Sequence, residues 1–123
     1  MWNVAIVEDN ADNRLLVSAM LDGVHDLTEF ETGAAALDAF ARELPDVVLL
    51  DLSLPGMDGT EVLRRLRDDV RTRSVPVVAL TAHAMAGDRE RLLALGFDEY
   101  VAKPIVDENL LLDAMERALA RRG

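Results

Sequence analysis

Short apolar runs rich in Val, Ile and Leu punctuate the chain at residues 4–7, 47–50 and 77–80, with a weaker one at 99–102. They do not alternate with polar residues, so both faces must be covered, as in the strands of a parallel sheet. The stretches between them carry helical period. In the first, Leu15, Leu16, Ala19 and Met20 make an apolar stripe and Gly23 supplies the stop. Thr32 can cap a second helix that turns Ala36, Leu37, Phe40 and Leu44 inward. Asp58 followed three residues later by Glu61 forms a capping box for a third, with Val62, Leu63 and Leu66 facing the sheet. A fourth helix is predicted from about residue 84 to 95 with Gly96 past its end. A fifth begins at Asp107, with Leu111, Leu112, Met115 and Leu119 apolar, and Arg117, Arg121 and Arg122 suit its C-terminal dipole.

Residues 26–30 are short and polar, and read as a strand because the alternation leaves a gap there. Five βα units result, which implies an α/β fold: a parallel sheet with right-handed crossovers and helices on both faces. Neither a repeat nor a linker interrupts the 123 residues, so one domain over residues 1–123 is expected.

Composition narrows what this domain can do. Half the residues are apolar but only five are Phe, Trp or Tyr, so the core is aliphatic. Acids outnumber Lys and Arg by 23 to 13, a formal charge of −10 that opposes attraction to nucleic acid or to an anionic membrane. Without cysteine there is no disulfide, thiolate metal site or Cys nucleophile. No apolar run approaches the span of a bilayer and no signal sequence opens the chain, so a cytoplasmic protein is expected.

In an open parallel sheet, ligands bind beyond the C-terminal strand ends, where strand order reverses. The residues just after the runs are therefore the candidates: Glu8 and Asp9, Asp51, Thr81, and Lys103 followed by Pro104. Each has an ordinary reading as a helix cap, a turn residue or a solvated charge. Together they are harder to dismiss, because clustered carboxylates repel unless a cation or proton is shared. Oxygen donors without His or Cys suit Mg²⁺, and Mg²⁺ commonly works with phosphate. Asp51, at the centre, is the candidate nucleophile toward phosphorus, with Lys103 and Thr81 offsetting charge on the transferred group.

The acid pair in "VEDN", the Asp in "VVLLDLSLPGMDG", the Thr in "VVALTAH" and the Lys in "YVAKPI" together resemble a response-regulator receiver domain over nearly the whole chain. That resemblance implies a flavodoxin-like (βα)5 sandwich of strand order 2-1-3-4-5. It implies a phosphorylated Asp51, Mg²⁺ on Asp9, Asp51, the Ser53 carbonyl and Glu8 (directly or through water), Thr81 on a phosphoryl oxygen, and Lys103 paired with the phosphate. Lys103–Pro104 would be cis, and Tyr100 would be the aromatic switch residue answering Thr81. The donor would be a phosphohistidine on a sensor histidine kinase or a histidine phosphotransfer protein, docking near the first helix and the loop around Ile105, with Arg14, Leu15 and Ser18 as candidate contacts. A downstream effector protein would read the result, and the receiver would act as a monomer or weak dimer. The segment from Thr81 to Ile105 looks like receivers of hybrid kinases and of single-domain regulators, and Met1 favours the latter.

Ser53 and His83 fall at the family's variable positions flanking the phosphorylation site. His25 reads as a solvated loop residue and Trp2 as rim packing at the opposite end of the first strand. A Mg²⁺-dependent phosphohydrolase is the enzyme alternative, but Ser53 stands where a dehalogenase-type phosphatase has its second acid. A flavodoxin-like cofactor carrier needs a phosphate-cradling loop where this chain has "EDNADN", and Rossmann and P-loop glycines are absent. A non-phosphorylated interaction module is the third reading.

Overall fold

The strands form a single five-stranded parallel sheet of order β2-β1-β3-β4-β5, built from β1 (Asn3–Val7), β2 (Asp26–Phe30), β3 (Val47–Asp51), β4 (Val77–Thr81) and β5 (Glu99–Ala102). They alternate with α1 (Ala11–Leu21), α2 (Gly33–Phe40), α3 (Gly59–Asp68), α4 (Asp88–Leu95) and α5 (Glu108–Arg122). The computed structural model describes residues 2–82 and 87–122; His83 and the expected start of the fourth helix lie outside them.

Successive residues of the inner strands serve two separate cores, which is why their sequence shows no polar alternation. Ala5, Val7, Val48, Leu50, Val77 and Ala79 pack with Ala36, Phe40, Val62, Leu63, Leu66 and Leu92 on one side. Val4, Ile6, Val47, Leu49, Val78 and Leu80 pack with Val17, Leu21, Leu111, Ala114, Met115 and Ala118 on the other. At the edge of the sheet, β2 has no fully buried residue, which explains its polar sequence.

Three expectations need correction. The buried residues of α1 are Val17 and Leu21, whereas Leu15 and Leu16 face solvent and Ala19 is exposed. Of the expected stripe only Met20 packs on the core, beside Val17 and Leu21. Leu44 lies beyond the end of α2 and is exposed. The capping box at α3 is half formed: Asp58 accepts from the Glu61 N–H at 3.0 Å, but the Glu61 carboxylate turns to Arg64 at 2.6 Å. The other caps are as expected. Thr32 accepts from the Ala35 N–H, and α4 ends at Gly96 with φ 116°, a left-handed turn that a glycine makes without a steric penalty.

Candidate functional site

All the strands run the same way, so their C-terminal ends gather at one pole, which holds Glu8, Asp9, Asp51, Thr81 and Lys103, while Tyr100 lies within β5. Asp51 ends β3, Thr81 ends β4, Glu8 and Asp9 follow β1, and Lys103 follows β5. Hydrogen bonds between neighbouring segments fix these ends relative to one another. The Glu8 N–H donates to the Phe30 carbonyl at 3.0 Å and the Lys103 N–H to the Thr81 carbonyl at 2.7 Å.

Glu8, Asp9 and Asp51 each offer a carboxylate oxygen, and these oxygens lie within 4.8 Å of one another. Glu8 and Asp51 are buried while Asp9 is open to solvent. Lys103 reaches into the group, its Nζ 3.0 Å from Asp51 Oδ1 and 3.3 Å from Glu8 Oε2. Asp51 Oδ1 also accepts the Ser53 N–H at 3.0 Å, and Glu8 Oε1 accepts the Asn10 N–H at 3.2 Å. The Lys103–Pro104 peptide is cis, as the resemblance implied.

Three acids beside one ammonium leave an excess of negative charge, which bears on the protonation of both Glu8 and Lys103. Burial pushes the Glu8 carboxyl above its ordinary value, and the adjoining Asp51 carboxylate raises it further, against the Asn10 N–H and Lys103. Burial pulls the Lys103 ammonium down, but Asp51 and Glu8 outweigh that and hold it above its usual range. Such a group gains from a divalent cation. The donors are all oxygens, with neither nitrogen nor sulfur, and they are gathered closely enough for one cation to draw all three together. The residues present therefore fit Mg²⁺.

Thr81 and Tyr100 share a face of the sheet. Tyr100 pairs with Ala79 and Ala102 with Thr81, so both side chains fall on the side of the core that holds Ala79. Tyr100 is half-buried against that core. Ser53 lies in the loop two residues past Asp51 and is exposed.

Sequence reasoning missed Gly59. A Cβ there would lie 2.4 Å from the Asp51 carbonyl oxygen and 2.7 Å from Leu52 Cα, so the start of α3 rests on the strand end that presents Asp51. The motif "DLSLPGMDG" contains it, but nothing in the motif itself sets Gly59 apart from Gly56 three residues earlier. Arg14 had been weighed as a docking contact, yet its guanidinium is turned inward onto the Glu8 carbonyl at 2.8 Å. His25 is no free loop residue. It stacks on Trp2 at 4.5 Å between ring centroids, and its Nδ1 accepts the Trp2 N–H at 3.0 Å.

A second charged group escaped the sequence altogether. Arg121 and Arg122 lie in the last turn of α5, as expected for its dipole, and together with Arg117 they also reach acids at the start of β5. Arg117 and Arg121 join Arg89 around the buried Glu99, and Arg122 joins Arg67 on Asp98.

The family model of the response regulator receiver domain matches residues 4–116. The sensor protein GacS of Pseudomonas syringae pv. syringae is 42% identical over 111 residues, covering 87% of this chain and 12% of that protein. The polar-differentiation response regulator DivK of Brucella ovis is 39% identical over 104 residues, covering 84% of this chain and 85% of DivK. The chain thus spans a small part of the first relative and most of the second. Among solved structures, the receiver domain of sensor histidine kinase PA1611 from Pseudomonas aeruginosa PAO1, which has a magnesium ion coordinated in its active site cleft, superposes with a TM-score of 0.85 at 34% identity, covering 97% of this chain and 98% of that one.

Proposed function

From the premise that this chain belongs to the response-regulator receiver family, we propose that residues 1–123 form one receiver domain in which Asp51 accepts a phosphoryl group from a phosphohistidine. The observation that carries this reading is the buried Asp51 carboxylate beside Lys103, Glu8 and Asp9 at the C-terminal pole of the sheet.

Glu8, Asp9, Asp51 and the Ser53 carbonyl would hold Mg²⁺. When bound, that ion would supply positive charge beside the phosphoryl oxygens. A carboxylate oxygen of Asp51 forms the new O–P bond while the N–P bond of the donor breaks, and the leaving imidazole keeps that electron pair. Lys103, already paired with Asp51, pairs with the phosphoryl group, and the Thr81 hydroxyl moves in to bond one of its oxygens. The domain is a signalling module that acts chemically only on itself, promoting its own phosphorylation and dephosphorylation.

The donor would sit on a sensor histidine kinase or a histidine phosphotransfer protein. Leu15 at 70% exposure and Val106 at 83%, flanking the site on α1 and on the loop that holds Ile105, offer it an apolar contact. On phosphorylation Thr81 moves toward the phosphate and Tyr100 follows inward, altering the face of α4, β5 and α5 that an effector protein reads. No helix among the described residues is long and apolar enough to cross a membrane. We place the protein in the cytoplasm as a monomer or weak dimer that does not bind nucleic acid directly.

An intact-mass assay with Mg²⁺ and a small phosphodonor tests the assignment. The wild type should gain one phosphoryl group, and neither Asp51→Asn nor the chelator-treated wild type should. A full-yield gain on Asp51→Asn would move the acceptor elsewhere and overturn it.

A further inference from the structure

The Asp9 carboxylate poses a question that the site's own contacts leave open. Glu8 is anchored through Asn10 and Lys103, and Asp51 through Ser53 and Lys103. Among the described residues, no hydrogen bond or ion pair holds the Asp9 carboxylate. Its placement therefore follows from its backbone, and above all from the Glu8 ψ angle, which turns the Glu8–Asp9 peptide plane and carries the Asp9 Cα with it relative to Asp51.

That plane has a clamp. Arg14, in the first turn of α1, donates from Nη1 to the Glu8 carbonyl at 2.8 Å. Its Nη2 donates to Glu31 Oε1 at 3.2 Å, and its Nε stands 3.7 Å from Glu29 Oε1. The two acids flank Phe30, whose carbonyl accepts the Glu8 N–H. One guanidinium thus ties the β1–α1 loop to the end of β2, and the Glu8 backbone is gripped at both its N–H and its carbonyl. The Arg14 side chain is 14% exposed, unlike the solvent-facing Arg42 at 70%.

We infer that Arg14 is a positioning residue for the metal site, setting the Glu8–Asp9 peptide plane so that the Asp9 carboxylate meets those of Glu8 and Asp51. This rests on the metal reading proposed above. The two carboxylates of Glu29 and Glu31 already outweigh the single charge of Arg14, so its action is geometric. A lysine would keep the charge but not the planar fork that reaches the carbonyl and both acids together.

The test measures Mg²⁺ affinity by titration calorimetry on the intact chain, alongside melting of the metal-free protein. Arg14→Lys and Arg14→Gln should each weaken Mg²⁺ binding, by about tenfold, as loss of an orienting partner of a metal ligand commonly does. Glu31→Gln, at an exposed side chain, should weaken it about twofold by loosening the guanidinium. Removing a nearby cation by field effect alone would do the reverse. Tighter binding in Arg14→Gln with none of the change in Arg14→Lys would therefore overturn the inference. So would unchanged affinity in both with only a lower metal-free melting temperature, which would make Arg14 a brace for the fold. If the wild type itself bound no Mg²⁺, the metal reading would fall and this inference with it, whereas normal wild-type binding with insensitive variants would remove the inference alone.

Discussion

Two groups of acids in this molecule are treated in opposite ways. At the C-terminal pole, the carboxylates of Glu8, Asp9 and Asp51 crowd together, and among the described residues one cation, Lys103, pairs with two of them, Glu8 and Asp51. At the start of β5, the two carboxylates of Asp98 and Glu99 meet five guanidiniums: Arg67 and Arg122 on Asp98, and Arg89, Arg117 and Arg121 on Glu99. Burial alone would raise the Glu99 carboxyl, but Arg89, Arg117 and Arg121 together outweigh it and hold the group below its ordinary value. Glu8, equally buried, goes the other way. Burial is common to both; compensation separates them. An over-compensated acid is part of the scaffold, here fastening α3, α4 and α5 to β5, while an under-compensated one is left in need of a cation.

The largest effect should come from Asp98→Ala. Its carboxylate accepts the Val77 N–H at 2.8 Å and pairs with the mostly buried Arg67 at 3.0 Å, so truncation strands a donor and a charge. A loss of about 3 kcal/mol is expected in urea denaturation, the low end for one partner of a buried pair. A loss below about 0.5 kcal/mol, the level of an exposed pair, would break the comparison.

Gly59→Ala asks whether the acidic pole also depends on its scaffold. Its Cβ would press on the Asp51 backbone at 2.4 Å, which should cost about 2 kcal/mol as overpacking and slow phosphoryl uptake. Wild-type stability would mean that α3 can back away without disturbing Asp51.

Acid titration separates the groups by sign. The folded-state value of Glu99 lies below the ordinary 4.5. Its contribution is therefore fully present above pH 4.5 and drains as pH falls from there through the folded value, because the unfolded chain takes the proton first. Denaturation curves between neutral and acid pH should show this loss in the wild type and less of it in Glu99→Gln. Parallel curves would show that the arginines do not act on Glu99. The smallest expected effect is none: Trp2, stacked on His25 before β1 and at the far end from the acids, should keep its fluorescence when Mg²⁺ is added to the folded protein.

The contrast between the groups also marks what the sequence could convey. The inner strands were legible because burial on both faces writes a continuous apolar run, and Glu8, Asp9, Asp51, Thr81 and Lys103 were legible because each directly follows such a run. The inward face of α1 is not legible because Leu15 and Leu16 are apolar yet exposed. The pairing of Arg117 and Arg121 with Glu99 was hidden because that acid lies on another element, 18 or more residues away, and only the packing of α5 on β5 brings them together. Arg14 was similarly opaque: its target is a backbone carbonyl, which leaves no mark in composition.

If the acidic pole is held together against its own repulsion, removing one charge should help the metal-free fold. Asp51 feels two carboxylates within 4.8 Å, each repelling by about 3.5 kcal/mol at an effective dielectric near 20, and one ammonium at 3.0 Å attracting by about 5.5 kcal/mol. The balance is unfavourable by about 1 kcal/mol once screening is allowed for. Mg²⁺ at about ten times its dissociation constant should return about 1.4 kcal/mol to the wild type and less to a variant lacking a ligand charge. The decisive measurement is a set of thermal melts of wild type and Asp51→Asn, with and without Mg²⁺. The account predicts that Asp51→Asn melts higher without metal and that the gap narrows or inverts with it. A variant that melts well below the wild type without metal, and gains as much from Mg²⁺, would show that Asp51 is held for structure and contradict the account.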